Sequence, residues 1–129
     1  MDTQFHHVDC VRVHVPDLEK GLEYYRDKLG LKSAWRSEQA IGLLFGDGVT
    51  ELVIQNEDRG VATDLMVESV EETVQVIEQA GGRILKGPFD IQIGKCAVVA
   101  DPWGNEMVIL DSSKGTFVTD QDGNIVGQE

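Results

Sequence analysis

Residues 11–32, "VRVHVPDLEKGLEYYRDKLGLK", repeat in pattern at residues 63–84, "TDLMVESVEETVQVIEQAGGRI". Laid one over the other, Val15 falls on Val67, Leu18 on Val70, Leu22 on Val74, Tyr25 on Ile77 and Gly30 on Gly82. Each stretch opens as an alternating strand and turns into an amphipathic helix. Apolar residues at 18, 22, 25 and 29, and again at 70, 74 and 77, keep a period near 3.6. Asp17 is placed to cap the first helix, and Ser69 with Glu72 forms a capping box for the second. Gly30 and the pair Gly81–Gly82 suit the left-handed residue that closes a helix.

Outward from each helix the chain reads as strands. Segments 33–38, 41–45 and 49–55 come after the first helix, with Asp47–Gly48 as a hairpin turn. Segments 83–86, 95–100 and 106–111 come after the second. The last two flank "DPWGN" at 101–105, a turn with a structural role as the corner that delivers the final strand. Trp103 at its apex is a candidate for a cavity rim or a dimer contact. The tail "GTFVTDQDGNIVG" reads as a further hairpin turning at Asp122–Gly123. Its Asp120, Asp122 and Asn124 imitate the start of a calcium loop, but Ile125 stands where such a loop needs glycine. The organisation is one domain over 1–129, with a module at 8–56, a second at 61–111 and the tail at 112–129.

Composition narrows the function classes. A net charge of −12, from 11 basic and 23 acidic side chains, disfavours nucleic acid, which needs clustered Lys and Arg. The same acidity suits a cationic ligand, or serves solubility alone. No stretch approaches the roughly 18 apolar residues of a membrane span. The opening "MDTQFHHVDC" is polar rather than a secretory leader, so a cytoplasmic location is expected, with Cys10 and Cys96 as reduced thiols.

Strand alternation assigns faces. Val11, Val13 and Val15 go to the helix side, which turns Cys10, Arg12 and His14 the other way. Leu52 and Ile54 likewise leave Glu51, Val53 and Gln55 on the opposite face. In the second module Asp64 and Met66, and then Glu106, Val108 and Leu110, take that face. Parity also suggests a direct Arg12–Glu51 pair. The candidate ligand-binding set is therefore Cys10, Arg12, His14, Glu51, Val53, Asp64, Met66, Glu106 and Val108. Trp35, Phe45, Phe89 and Trp103 are available as stacking surfaces.

The doubled βαβββ pattern, "VPDLEKGLEYYRDKLGL" and "IGKCAVVADPWGN" together resemble the vicinal oxygen chelate superfamily over residues 8 to 111. Glyoxalase I, bleomycin-resistance proteins and extradiol dioxygenases share that fold. The resemblance implies an α+β fold: two βαβββ modules forming a curved, mostly antiparallel sheet, helices on its convex face and ligand on its concave side, often in a dimer. It places metal ligands on the first and last strand of each module, here Cys10, Glu51, Ala62 and Val108. Only Glu51 matches the usual His, Glu or Gln. Cys10 is chemically able to act as a soft ligand but is more often a small buried apolar group in such a position, while Ala62 and Val108 coordinate nothing.

Two function classes are consistent with this pattern. The first is a metal-free protein, like the bleomycin-resistance branch, that holds a cationic or aromatic small molecule as a homodimer. The alternative is a metal-dependent lyase, isomerase or dioxygenase of glyoxalase type, carrying Zn, Ni, Mn or Fe. Glu51 as a general base without a metal is a further enzymatic variant.

Overall fold

The computed structural model describes residues 2–58 and 60–129. The chain divides into two compact units. One comprises Asp9–Ala62 with Val118–Gly127; the other comprises the residues up to Val8, Thr63–Phe117 and Gln128–Glu129. The tail is thus shared between the units rather than standing alone, because its hairpin, β9 (Phe117–Thr119) and β10 (Ile125–Gln128), bridges through Asn124 to Arg36. Strand β1 (Phe5–His14) starts ahead of the expected module boundary and contributes to both units.

In the first unit β1 leads into α1 (Leu18–Leu22), a π-helical segment (Glu23–Lys28), β2 (Lys32–Arg36), β3 (Ala40–Leu44) and β4 (Glu51–Gln55). The strand order is β2-β3-β4-β1, antiparallel except for the parallel β1–β4 pair. Leu18, Leu22, Ile41, Leu43 and Ile54 form its core, and Val13, Val15, Tyr25 and Leu52 pack against them. Burying these side chains between helix and sheet stabilises the unit by about 1.5–3 kcal/mol for each large aliphatic residue. Asp17 caps α1 by accepting from the Lys20 N–H at 3.1 Å.

The helical stripe breaks after Leu22. The Leu29 N–H donates to the Tyr24 carbonyl, five residues back, at 3.0 Å. One extra residue in a turn rotates the downstream residues by about 100°. Leu29, a core position by periodicity, is accordingly 53% exposed.

The second unit runs β5 (Ala62–Val67), α2 (Val70–Gln79), β6 (Arg83–Ile91), β7 (Gly94–Ala100) and β8 (Glu106–Leu110). Its order is β5-β8-β7-β6, again with one parallel pair, β5–β8. Strand β6 reaches Ile91, well beyond the expected 83–86, since its pairing with β7 resumes after two irregularities. Val67, Val70, Val74, Ala97, Val99 and Ile109 make the core beneath α2. Ser69 caps α2 through the Glu72 N–H at 3.2 Å, but Glu72 turns its carboxylate to Gln4 at 3.4 Å, so half of the expected capping box forms.

A side chain remote in sequence completes the cap. Buried Asp111 accepts the Val70 N–H at 2.8 Å with Oδ2. Its Oδ1 accepts the N–H groups of Lys95 at 2.9 Å and Ser113 at 3.2 Å, together with the Ser113 hydroxyl at 2.7 Å. One carboxylate thereby ties the start of α2, β7 and the end of β8 together.

The corner at 101–105 has the expected structural role. Asp101 Oδ1 accepts the N–H groups of Trp103 and Asn105 at 3.0 and 2.8 Å, Asn105 Nδ2 donates to Oδ2, and Gly104 takes φ 89°. Residues 120–124 repeat this pattern around Asp120, whose oxygens the turn therefore occupies.

Candidate functional site

In the first unit the face opposite α1 is arranged in three rungs. Cys10, Glu51, Leu44 and Lys32 share one rung, and Arg12, Val53, Gly42 and Trp35 the next. His14, Gln55 and Ala40 share the third. Core packing of Val13, Ile41, Leu43, Leu52 and Ile54 on the other side fixes this assignment. Cys10, Arg12, His14, Glu51 and Val53 therefore come together on one face, as parity suggests.

Two residues that parity did not assign shape it. Gly42 leaves room on β3, where an added Cβ would lie 2.0 Å from Trp35 Nε1. The Trp35 indole crosses that gap and donates Nε1–H to Glu51 Oε1 at 2.7 Å. A bulge between Ser33 and Trp35 resets the alternation of β2 and hides the face of Trp35 from a period-two reading.

Trp35, rather than the expected Arg12, is the partner the structure gives Glu51. The register explains it: Arg12 stands opposite Val53, one rung from Glu51. Burial pushes the Glu51 carboxyl above its ordinary range; the indole bond pulls it back, and the nearby Asp9 charge pushes it up again. Beside Glu51, Lys32 and Leu44 line a cavity of about 370 Å³ that continues to Leu29, Leu31 and Phe45.

Asp64, Met66, Glu106 and Val108 lie on the corresponding face of the second unit, since Leu65, Val67, Met107 and Ile109 pack toward α2. Asp64 pairs with Val108 and Met66 with Leu110. The carboxylate level with Val108 thus belongs to Asp64, two residues beyond the Ala62 position along β5.

The donor set does not fit a metal centre of the kind the resemblance implies. Ala62 and Val108 carry no donor atoms, and a catalytic zinc takes three protein ligands. Among the described residues no three His, Cys, Asp or Glu side chains gather closely enough to hold an ion. Cys10 and Glu51 are rung partners, but Cys10 is 3% exposed and Glu51 already accepts from Trp35. Both cysteines are buried thiols outside any disulfide.

Gln55 completes the face in an unusual way. The residue is 6% exposed, and its Nε2 has no hydrogen-bond partner among the described residues. His14 and Ala40, its rung neighbours, leave the amide donors unanswered. Trp103 stands 84% exposed at the tip of its turn.

A chain of two βαβββ units, each with a helix on one face of a mixed ladder and polar groups on the other, is a protein of paired βαβββ modules. This chain belongs to the Glyoxalase/Bleomycin resistance protein/Dioxygenase superfamily, whose model matches residues 4–109. It is 28% identical over 113 residues to an uncharacterized protein of Mycolicibacterium smegmatis, covering 84% of this chain and 97% of that one. It is 26% identical over 117 residues to Glyoxalase 1 of Caenorhabditis elegans, covering 78% of this chain and 41% of that longer protein. Among solved structures, a selenomethionine methylmalonyl-CoA epimerase superposes with a TM-score of 0.70 at 12% identity, over 86% of this chain and 98% of that one. Likeness at that identity speaks for the fold alone. No helix among the described residues is long and apolar enough to cross a membrane.

Proposed function

We propose that this protein binds a small cationic aromatic molecule on the Glu51 face of its first unit, without a metal, and works as a homodimer. The observation that carries the reading is the Trp35–Glu51 pair, an indole held across Gly42 against a half-buried carboxylate. A cation entering there gains a charge-assisted hydrogen bond to Glu51, and the indole face adds about 0.5–2 kcal/mol of cation–π attraction. The overall acidity draws such a guest in.

Benzylamine is a suitable probe, followed by tryptophan fluorescence in a Trp103→Phe background, which leaves Trp35 as the one reporter of the chain's two tryptophans. Saturable quenching that weakens about tenfold or more in Glu51→Gln supports the proposal. Equal binding to both proteins overturns it. Stoichiometric metal in the purified protein, with stabilisation by added metal, would instead favour the metal-dependent lyase, isomerase or dioxygenase reading.

A second reading has its own support in the raised Glu51 carboxyl. A carboxylate whose proton affinity is increased by burial is a better general base near neutral pH. Catalysis of proton exchange at a carbon acid, lost in Glu51→Gln, would select it over binding alone.

A further inference from the structure

The extra residue in the π-helical turn leaves Leu29 exposed beside the hairpin that joins β3 to β4. Leu29, Leu31, Leu44 and Phe45 wall the cavity of about 370 Å³ found there. That volume falls within the range of about 300–1,000 Å³ usual for small-molecule sites. Three glycines complete the lining, and a Cβ built on any of them would meet no atom beyond its chain neighbours within 4 Å. Apolar walls around open space favour an apolar guest over water.

Lys32 is the charged residue of this lining. The chain carries 23 acidic side chains, yet among the described residues none pairs with Lys32. Asp47, in the neighbouring hairpin turn, uses its carboxylate on the N–H groups of Val49 and Thr50 and on the Thr50 hydroxyl. Glu51, in the same rung beyond Leu44, is taken by Trp35. An ammonium left without a carboxylate beside apolar walls matches a guest with an anionic head and an apolar tail. The net charge of −12 does not forbid this. Exposed charges more than about 8 Å apart are largely screened at physiological ionic strength, so the nearest charge decides.

We propose that this cavity is a second ligand site, separate from the Glu51 face, and that it takes a small amphipathic carboxylate. Its alkyl chain lies along Leu29, Leu31, Leu44 and Phe45, and its carboxylate meets the Lys32 ammonium. A second copy of the chain seated on the exposed edges of Leu29 and Phe45 would close the cavity over such a guest. The site does not depend on the reading of the Glu51 face.

Three probes with the same alkyl chain separate charge from apolar contact: octanoate, octanol and octylamine. Titrations are followed by NMR on the intact chain, reading the methyl resonances of Leu29, Leu31 and Leu44. Octanoate is expected to move those methyls and to bind there more tightly than octanol, with octylamine the weakest. Lys32→Gln should weaken octanoate about 2- to 5-fold, the range for an exposed ion pair, and leave octanol unchanged. Lys32 is exposed, so the substitution leaves the core intact, and Lys32→Arg should hold octanoate as the wild type does.

Octanoate that leaves these methyls unmoved overturns the proposal. So does octanoate that binds Lys32→Gln as tightly as the wild type, since the cavity is then apolar only. Octylamine moving the same methyls at lower concentration than octanoate overturns it too, because the net charge then selects the guest. Octanoate binding that depends on Lys32, with no response of Trp35 to benzylamine, upholds this site and removes the Glu51 reading alone.

Discussion

Glycine at position 42 is what allows an indole and a carboxylate from different strands to meet. With a Cβ there, Trp35 must leave its place over β3, because the atoms would approach to 2.0 Å. Gly42→Ala is expected to destabilise the protein by about 1–3 kcal/mol through overpacking, and to shift the Trp35 emission as the Glu51 bond breaks. Urea titration followed by fluorescence measures both, and an unchanged spectrum would show that the indole is not held there. Glu51 itself works against folding near neutral pH. Its proton is bound more tightly in the folded chain than in the unfolded one, so stability falls as pH rises from about 4.3 through the raised folded value. Glu51→Gln keeps an acceptor for Trp35 and removes this loss. The variant should be more stable than the wild type at pH 7 and equal to it below about pH 4. Lower stability at pH 7 would mean that the charge is compensated by a neighbour. Glu51 was legible in the sequence from parity and chemistry, whereas its partner was not: the bulge before Trp35 erases the period on which parity depends.

The same contrast holds for whole elements. Both caps, both helix-ending glycines and the alternation of β1, β4, β5 and β8 were readable because each depends on residues a few positions apart. The π-helical segment was not, since its sequence keeps a 3.6-residue stripe that the backbone then steps out of at Leu29. Nor was Asp111 readable as the cap of α2, for it reaches Val70 across 41 positions. Burial alone would raise the Asp111 carboxyl; the N–H groups of Val70, Lys95 and Ser113 outweigh it and hold the group below its ordinary value. A depressed folded value means that its contribution is fully present above about pH 4 and is lost as pH falls through the folded value. Asp111→Ala should cost about 2–4 kcal/mol at pH 7, because the helix cap is lost and buried donors are left unpaired. It should also flatten the acid limb of the stability profile. Chemical denaturation from pH 7 down to pH 3 tests this, and a cost below about 0.5 kcal/mol would show that water replaces the carboxylate freely.

At the scale of the whole molecule, exposed apolar surface is the feature that a single chain leaves unexplained. Leu29 and Phe45, 53% and 40% exposed, line one cavity in the first unit, and Val49, in the loop after Phe45, is 68% exposed. Leu29 is there because of the extra residue in the preceding turn, so the irregularity of an element creates a surface feature. Exposed apolar groups gathered in one region mark a candidate contact site, and closed homo-oligomers are the commonest protein assemblies, so a second copy of the chain is the occupant to test first. The wild type is therefore expected to sediment at twice its 14.2 kDa chain mass at micromolar concentration. Replacing both Leu29 and Phe45 with Asp should return it to the single-chain mass, with the core of Leu18, Leu22, Ile41, Leu43 and Ile54 untouched and the melting temperature of the monomer measurable. A wild type that sediments as one chain would end the dimer reading. A double variant that remains paired would move the interface away from this cavity and leave the Leu29–Phe45 surface open to a ligand.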